Sequence, residues 1–364
     1  MLPTNAASEN QHREGDAMSK KTGETWLSVS ETLVSLAIVV TLTMEKKFAP
    51  FSARSLAIRA QLFSPIILAA LFFGIALCAA PPTAEESNSA SEPKTETGFA
   101  EVNGTRLYYE VAGTGDPIVL IHGNFGDRRY FDGQFDALGR FHRVLRYDVR
   151  GYGKSMLPDE GVPYSDFEDL EALMTHLGID RAHIAGFSMG SAIAVDFCLA
   201  LPDRCSSLIA IGPWFNGYDS PLARTLFEDF GAISAAAASG GRDAALKQLL
   251  AATWWYPEKV PPRAFERVKA IWSDYDFWHF KNPDPRRVLA PPAADQLERI
   301  TAPALIITAE YDLDACRAVA HQMDTEIPDS KTVNLASATH FMFIEEPEQV
   351  NAAILDFLVA ASSR

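Results

Sequence analysis

From Gly98 onward, short apolar runs alternate with longer segments of helical periodicity. Phe99–Val102 and Leu107–Val111 flank Asn103-Gly104, a dipeptide that tolerates positive φ at both turn positions and so predicts a hairpin. Beyond Gly113-Thr-Gly-Asp116 comes Ile118–Ile121, an uninterrupted apolar run of the kind buried on both faces of a sheet. Comparable runs occur at Arg143–Tyr147, His183–Ala185, Leu208–Ile211 and Ala304–Thr308, with a weaker one at Thr332–Leu335. Between most of them, Tyr164–Leu177, Met189–Ala200, Ala315–Ile327 and Pro347–Ala360 read as helices. Proline at the first turn of the last one suits a helix start, where its missing N–H is not needed. Strand–helix alternation predicts the α/β class, with a parallel sheet covered on both faces.

One stretch departs from this rhythm. Between Trp214 and about Pro292 no buried-strand run occurs, yet five of the six tryptophans and 14 aromatics lie between Trp214 and Phe280. Helical patches at Pro221–Phe230, Asp243–Ala252 and Pro262–Trp272 are separated by Gly240-Gly241 and Pro261-Pro262. The pattern predicts a helical cap over one end of the sheet, about residues 214–292, with aromatics placed to line an apolar pocket. Ordinary helices with an aromatic core are the alternative.

The first 80 residues are a different kind of sequence. The apolar run Ile66–Leu77 follows Lys46, Lys47, Arg54 and Arg59 and leads into Cys78-Ala79-Ala80, the layout of a secretory signal. Twelve residues are too few for a membrane-crossing helix, which needs roughly 20; a membrane anchor is the second reading. Ile75–Cys78 also resembles a lipoprotein box, and Met44 is an alternative start. Residues 81–97 read as a polar linker and 98–364 as the folded domain. The chain is therefore expected to be exported, periplasmic or secreted, with membrane anchoring as the variant.

Charge sharpens this division. Of the net −15, the part after Ala80 carries 25 Lys or Arg against 41 Asp or Glu. So acidic a domain is a poor binder of nucleic acid, which needs a basic face. The four cysteines show no zinc spacing, and no metal or cofactor is expected. Cys198 and Cys205 are close enough in the chain to form a disulfide after export, a question of their Cα separation.

Candidate chemistry centres on Gly186-Phe187-Ser188-Met189-Gly190, which follows one strand and opens a helix. G-x-S-x-G in that context predicts a tight turn that lifts the Ser188 hydroxyl above the sheet. It also leaves the Met189 N–H at a helix N-terminus, facing developing negative charge. A serine nucleophile needs a base, and His340 lies in the loop after the strand ending at Leu335. His183, His176, His279, His321 and His12 are worse placed. The acid that orients the imidazole is expected just after Ala304–Thr308; Asp312 is the first choice, with Asp314 and Glu310 as rivals. Asp314 is read instead as the cap of a helix starting at Ala315. The second oxyanion donor is expected from the Asn124 backbone in His122-Gly123-Asn124, with His122 holding that loop by hydrogen bonds.

These pieces, together with Asp148-Val-Arg-Gly-Tyr-Gly-Lys-Ser155 and His340-Phe341…Glu345-Glu346-Pro347, make the chain from Gly98 resemble the α/β-hydrolase superfamily. Within it the likeness is to 3-oxoadipate enol-lactonases, carboxylesterases and cofactor-free haloperoxidases. The resemblance implies an eight-stranded, mostly parallel doubly wound sheet, a cap between the sixth and seventh strands, and a Ser188–His340–Asp312 triad. Ser191, Ala309 and Thr339 stand where such enzymes usually carry glycine. The expected activity is hydrolysis of a small carboxylic ester or lactone through an acyl-enzyme, falling as pH drops below roughly 6–7 because the base must be neutral. Rival readings are a C–C bond hydrolase, a perhydrolase-type haloperoxidase, and a non-enzymatic ligand receptor. Nothing in the sequence speaks to an oligomer.

Overall fold

Short apolar runs become the strands of a single eight-stranded sheet. The computed structural model describes residues 95–362. Residues 1–80, expected to be a targeting region, with Met44 and Cys78 among them, and most of the expected linker lie outside the described residues. In chain order the strands are β1 (Glu96–Val102), β2 (Thr105–Ala112), β3 (Pro117–Ile121), β4 (Arg143–Tyr147), β5 (Ala182–Phe187), β6 (Cys205–Ile211), β7 (Ala304–Tyr311) and β8 (Ser330–Thr339). Ile118, Val119, Leu120 and Ile121 are fully buried, each contributing about 1.5–3 kcal/mol by leaving water.

The spatial order is β1-β2-β4-β3-β5-β6-β7-β8. β2 runs antiparallel to β1 and β4, and every other pairing is parallel. Because β3 pairs with both β4 and β5, the chain reverses its direction of travel there. The crevice outside the carboxyl ends of such strands is where α/β sheets place ligands. Helices α1 (Asp132–Leu138) and α9 (Pro347–Ser362) pack together, as do α2 (Asp166–His176) and α3 (Met189–Ala200). The fold class is the one expected.

Between β6 and β7 lie α4 (Pro221–Ala251), α5 (Pro262–Ser273) and α6 (Trp278–Lys281). Two helical stretches meet within α4 at Gly241, whose backbone is non-helical (φ 71°, ψ −163°), so the break expected at Gly240-Gly241 is present as a sharp kink with no loop. The remaining helices are α7 (Asp314–Glu326) and α8 (Met342–Glu345). Among the described residues, no helix is long and apolar enough to cross a membrane.

Two boundaries moved for one reason. Glu96 and Thr97, read as linker, pair with Val111 and Glu110, and β8 extends well beyond Thr332–Leu335. Both are edge strands, where the backbone ladder forms while side chains stay polar and exposed, so hydropathy understates their length. Cys198 and Cys205 form a disulfide across the α3–β6 connection, with Cα atoms 5.2 Å apart.

Candidate active site

The turn after β5 is built by exclusion. An added Cβ at Gly186 would stand 2.1 Å from the Gly190 carbonyl oxygen, and one at Gly190 would stand 2.1 Å from that of Ile121. Backbone meets backbone at both places, so only glycine fits. Between them Ser188 adopts φ 53° and ψ −115°, a conformation costly for a side chain and typical of strained functional turns. Its N–H bonds the Ile211 carbonyl at 3.0 Å, which ties the turn to β6. Met189 then opens α3, whose first-turn N–H groups have no acceptor within the helix.

At the ends of β7 and β8, Asp312 and His340 meet. His340 Nδ1 lies 2.6 Å from Asp312 Oδ1, the geometry of a ring N–H donating to a carboxylate. That bond leaves Nε2 as the basic nitrogen. Asp312 is fully buried; it also accepts from the Leu313 N–H at 2.7 Å and the Thr308 hydroxyl at 3.4 Å. Of the rivals, Glu310 is exposed and bonds the Ser337 N–H at 3.0 Å. Asp314 is not the cap of α7 but its first residue; it pairs with Arg317 at 2.5 Å. The chain enters α7 one residue earlier than expected, and Leu313 occupies the capping position.

The loop after β3 is held from several sides. His122, fully buried, accepts the Val149 N–H on Nε2 at 2.9 Å, so Nδ1 carries the proton and donates to Gly123 O at 2.8 Å. Burial holds its pKa below the ordinary imidazole value. Asn124 turns its side chain inward, where Oδ1 accepts from Phe125 N–H at 2.9 Å and the Tyr152 hydroxyl at 2.7 Å. Its carbonyl accepts the Tyr130 hydroxyl at 3.2 Å, and Tyr130 in turn takes the Trp272 indole N–H at 2.5 Å. The interstrand segment therefore buttresses the loop. The Asn124 N–H has no partner among the described residues.

Asn124, Tyr130, Ser188, Met189 and His340 face one cavity of about 200 Å³. Ser188, Met189, Asn124 and His340 line it together with Leu226, Phe230, Trp254 and Trp272 from the segment between β6 and β7. Aromatics there contact the loops directly: Phe125 stacks on Phe280 at 5.0 Å, and Tyr152 stacks on His279 at 4.5 Å.

The Alpha/beta hydrolase family matches residues 118–353. The chain belongs to this family. The AB hydrolase superfamily protein YisY of Bacillus subtilis is 30% identical to this hydrolase over 267 residues, covering 69% of this chain and 94% of the relative. A putative carbamate hydrolase, RutD, of Azorhizobium caulinodans is 26% identical, covering 71% and 97%. Among solved structures, the enol-lactonase of Burkholderia xenovorans LB400 superposes with TM-score 0.61 at 26% identity, covering 72% of this chain and all of that one. This chain is an enzyme, a hydrolase with esterase- and lactonase-like relatives.

Two of its departures from the usual glycines have local explanations. The Ser191 hydroxyl donates to Trp214 O at 2.6 Å and accepts from Trp214 N at 2.7 Å, clamping the exit from β6 to α3. Thr339 bonds Glu345 through both its N–H, at 2.9 Å, and its hydroxyl.

Other residues at the site were not visible in the sequence. Gly212 (φ +49°) runs so close to His340 that an added Cβ would stand 2.9 Å from Cε1 and Nδ1. Cys316 brings its sulfur within 4.8 Å of Asp312 and His340 ligand atoms, a grouping the spacing did not suggest. Burial, together with the charge of Asp312, pushes its thiol well above the ordinary range, and a protonated thiol is a poor metal ligand. Asp166, Asp196 and Arg286 also line the cavity. Only Asp196 left a trace in the sequence, as the one charged residue in the apolar helix α3.

Proposed function

We propose that this hydrolase cleaves small carboxylic esters or lactones with Ser188 as nucleophile, His340 as general base and Asp312 as the group that orients and stabilises it. The observation that carries the reading is the His340 Nδ1–Asp312 Oδ1 bond of 2.6 Å on the wall of the cavity that also contains Ser188. Ser188 Oγ attacks the carbonyl carbon as His340 Nε2 takes its proton. The Met189 and Asn124 N–H groups receive the oxyanion. Collapse breaks the bond to the leaving alkoxide, which takes the proton from His340. Water, deprotonated by the same nitrogen, then releases the acid and regenerates Ser188. In a lactone the leaving alkoxide stays attached to the acid, so one ring-opened product results.

The comparison protein named an enol-lactonase supports this substrate class. The Cys198–Cys205 disulfide supports an exported location, because such bonds persist in oxidising compartments. The test is labelling by a fluorophosphonate and turnover of a short aryl ester, each in parent and Ser188→Ala. Both activities are expected in the parent and neither in the variant. Ester turnover that survives Ser188→Ala refutes the assignment, as does an unreactive parent.

A further inference from the structure

One end of the cavity is polar and incompletely satisfied. Three buried polar atoms on its lining residues have no hydrogen-bond partner among the described residues: Asp166 Oδ1, Asp196 Oδ1 and Trp254 Nε1. The two acids are only 6% and 3% exposed. Buried carboxylate oxygens normally find donors, so two cavity-lining acids that each keep one oxygen without a donor point to a ligand that supplies them.

Asp196 lies on the cavity face of α3. Met189, Ala192, Ile193 and Asp196 all line the space, at the spacing of one helix face. At 1.5 Å per residue, Asp196 stands about 10 Å along the helix from the elbow. Its Oδ2 accepts from Asn216 Nδ2 at 2.8 Å and Leu289 N at 3.4 Å. Asp166, at the start of α2, accepts from Arg286 Nη1 on its Oδ2 at 3.2 Å. Arg286 also reaches Asp284 at 3.4 Å, and Asp284 accepts the Tyr164 hydroxyl at 3.0 Å. Arg287, also on the lining, is mostly exposed and faces Glu168 at 3.8 Å.

Asp166 and Asp284 share the Arg286 guanidinium, and Asp196 lines the same cavity with only neutral donors on its Oδ2. Burial pushes Asp196 up to about 6 and raises Asp166 despite Arg286. A ligand with positive charge and several N–H donors relieves that strain at both oxygens. A hydroxyl brings one donor, an alkyl group none, and a carboxylate would add to the repulsion.

We propose that Asp166 and Asp196 receive a protonated primary amino group of the substrate, so that the enzyme prefers esters or lactones bearing an ammonium remote from the scissile carbonyl. The preference for esters and lactones rests on the reading above; binding of the amino group does not.

Titration calorimetry with n-hexylammonium and with 1-hexanol reads the site without turnover. Hexylammonium is expected to bind at least tenfold more tightly than hexanol, with Asp166→Asn and Asp196→Asn each moving the ratio toward one. A ratio of two ligands on one folded protein cancels a general loosening, and Asp196→Asn serves alone if Asp166→Asn fails to fold. Equal binding in the parent, or a preference that survives Asp196→Asn, overturns the proposal. Aryl esters ending in ammonium or hydroxyl then separate the two readings. An ammonium preference in kcat/KM, expressed in KM, supports both. Selective amine binding without turnover of either ester keeps this site and rejects the ester reading. Equal turnover with equal binding does the reverse.

Discussion

Alanine at Gly212 separates the position of His340 from the stability of the fold. The new methyl carbon would stand 2.9 Å from Cε1 and Nδ1 of the imidazole and 3.3 Å from Phe187 Cε2. Carbon contacts settle at about 3.5–4.0 Å, so the ring must retreat by about 0.6 Å or more. Phe187 lies against it with ring centroids 4.6 Å apart, and Asp312 holds Nδ1 at 2.6 Å, so retreat strains the carboxylate bond. Left-handed backbone at φ +49° adds about 1–2 kcal/mol for alanine. That corresponds to a melting decrease of about 2–8 °C in a domain of this size. Displacing a reacting group by about 1 Å costs about 10²-fold in rate. Scanning calorimetry and kcat on an aryl ester are the assays. The expected result is a loss of about 10²-fold in kcat with only a few degrees lost in melting temperature. Gly231→Ala is the control: Gly231 sits in α4, and an added Cβ there meets open space. It should keep full activity and gain about 0.4–1 kcal/mol. A Gly212→Ala enzyme that melts lower yet keeps its kcat would refute the placement of His340 as the base.

Three further outcomes are expected. Asp312→Asn leaves the fold intact but removes the carboxylate facing Nδ1–H, so kcat should fall by about 10⁴-fold; a loss under tenfold would move the orienting role elsewhere. Asp196, held at about 6 by burial, binds its proton more tightly in the folded state than in the unfolded chain. Stability therefore falls as pH rises from about 4 to about 6, by about 3 kcal/mol for this one group. The stability of Asp196→Asn relative to the parent should rise by that amount over the same interval; a pH-independent difference counts against it. Finally, Cys198 and Cys205 should resist alkylation until reduced, and replacing both with serine should cost about 2–3 kcal/mol for so short a loop. Free alkylation of both in protein purified without reductant would contradict the pairing.

Much of the architecture follows from rules that act over a few residues. Apolar runs such as Ile118–Ile121 predict buried strands wherever they occur. The elbow was legible because a strand, two glycines and a helix start are consecutive in the chain. His340 and Asp312 could be placed because each follows a strand by only a few residues. Local rules fared worse at the edges and the breaks. Edge strands β1 and β8 pair through backbone while their side chains stay in water, and the break at Gly241 is a kink between two helical stretches with no loop between them.

The sequence by itself determined the fold class, the nucleophile turn and the order in which the candidate catalytic groups appear. Only the tertiary structure decided what surrounds them. Gly212 matters because β6 delivers it against an imidazole from the far end of the chain. Tyr152 matters because it reaches Asn124 Oδ1. The polar end of the cavity joins Asp166 of α2, Asp196 of α3 and Arg286 of the segment before β7. Those residues are separated by tens of positions, and no periodicity links them. Sterics of neighbouring residues write turns and strands into the sequence, whereas a cavity exists only where remote elements pack and leave space between them.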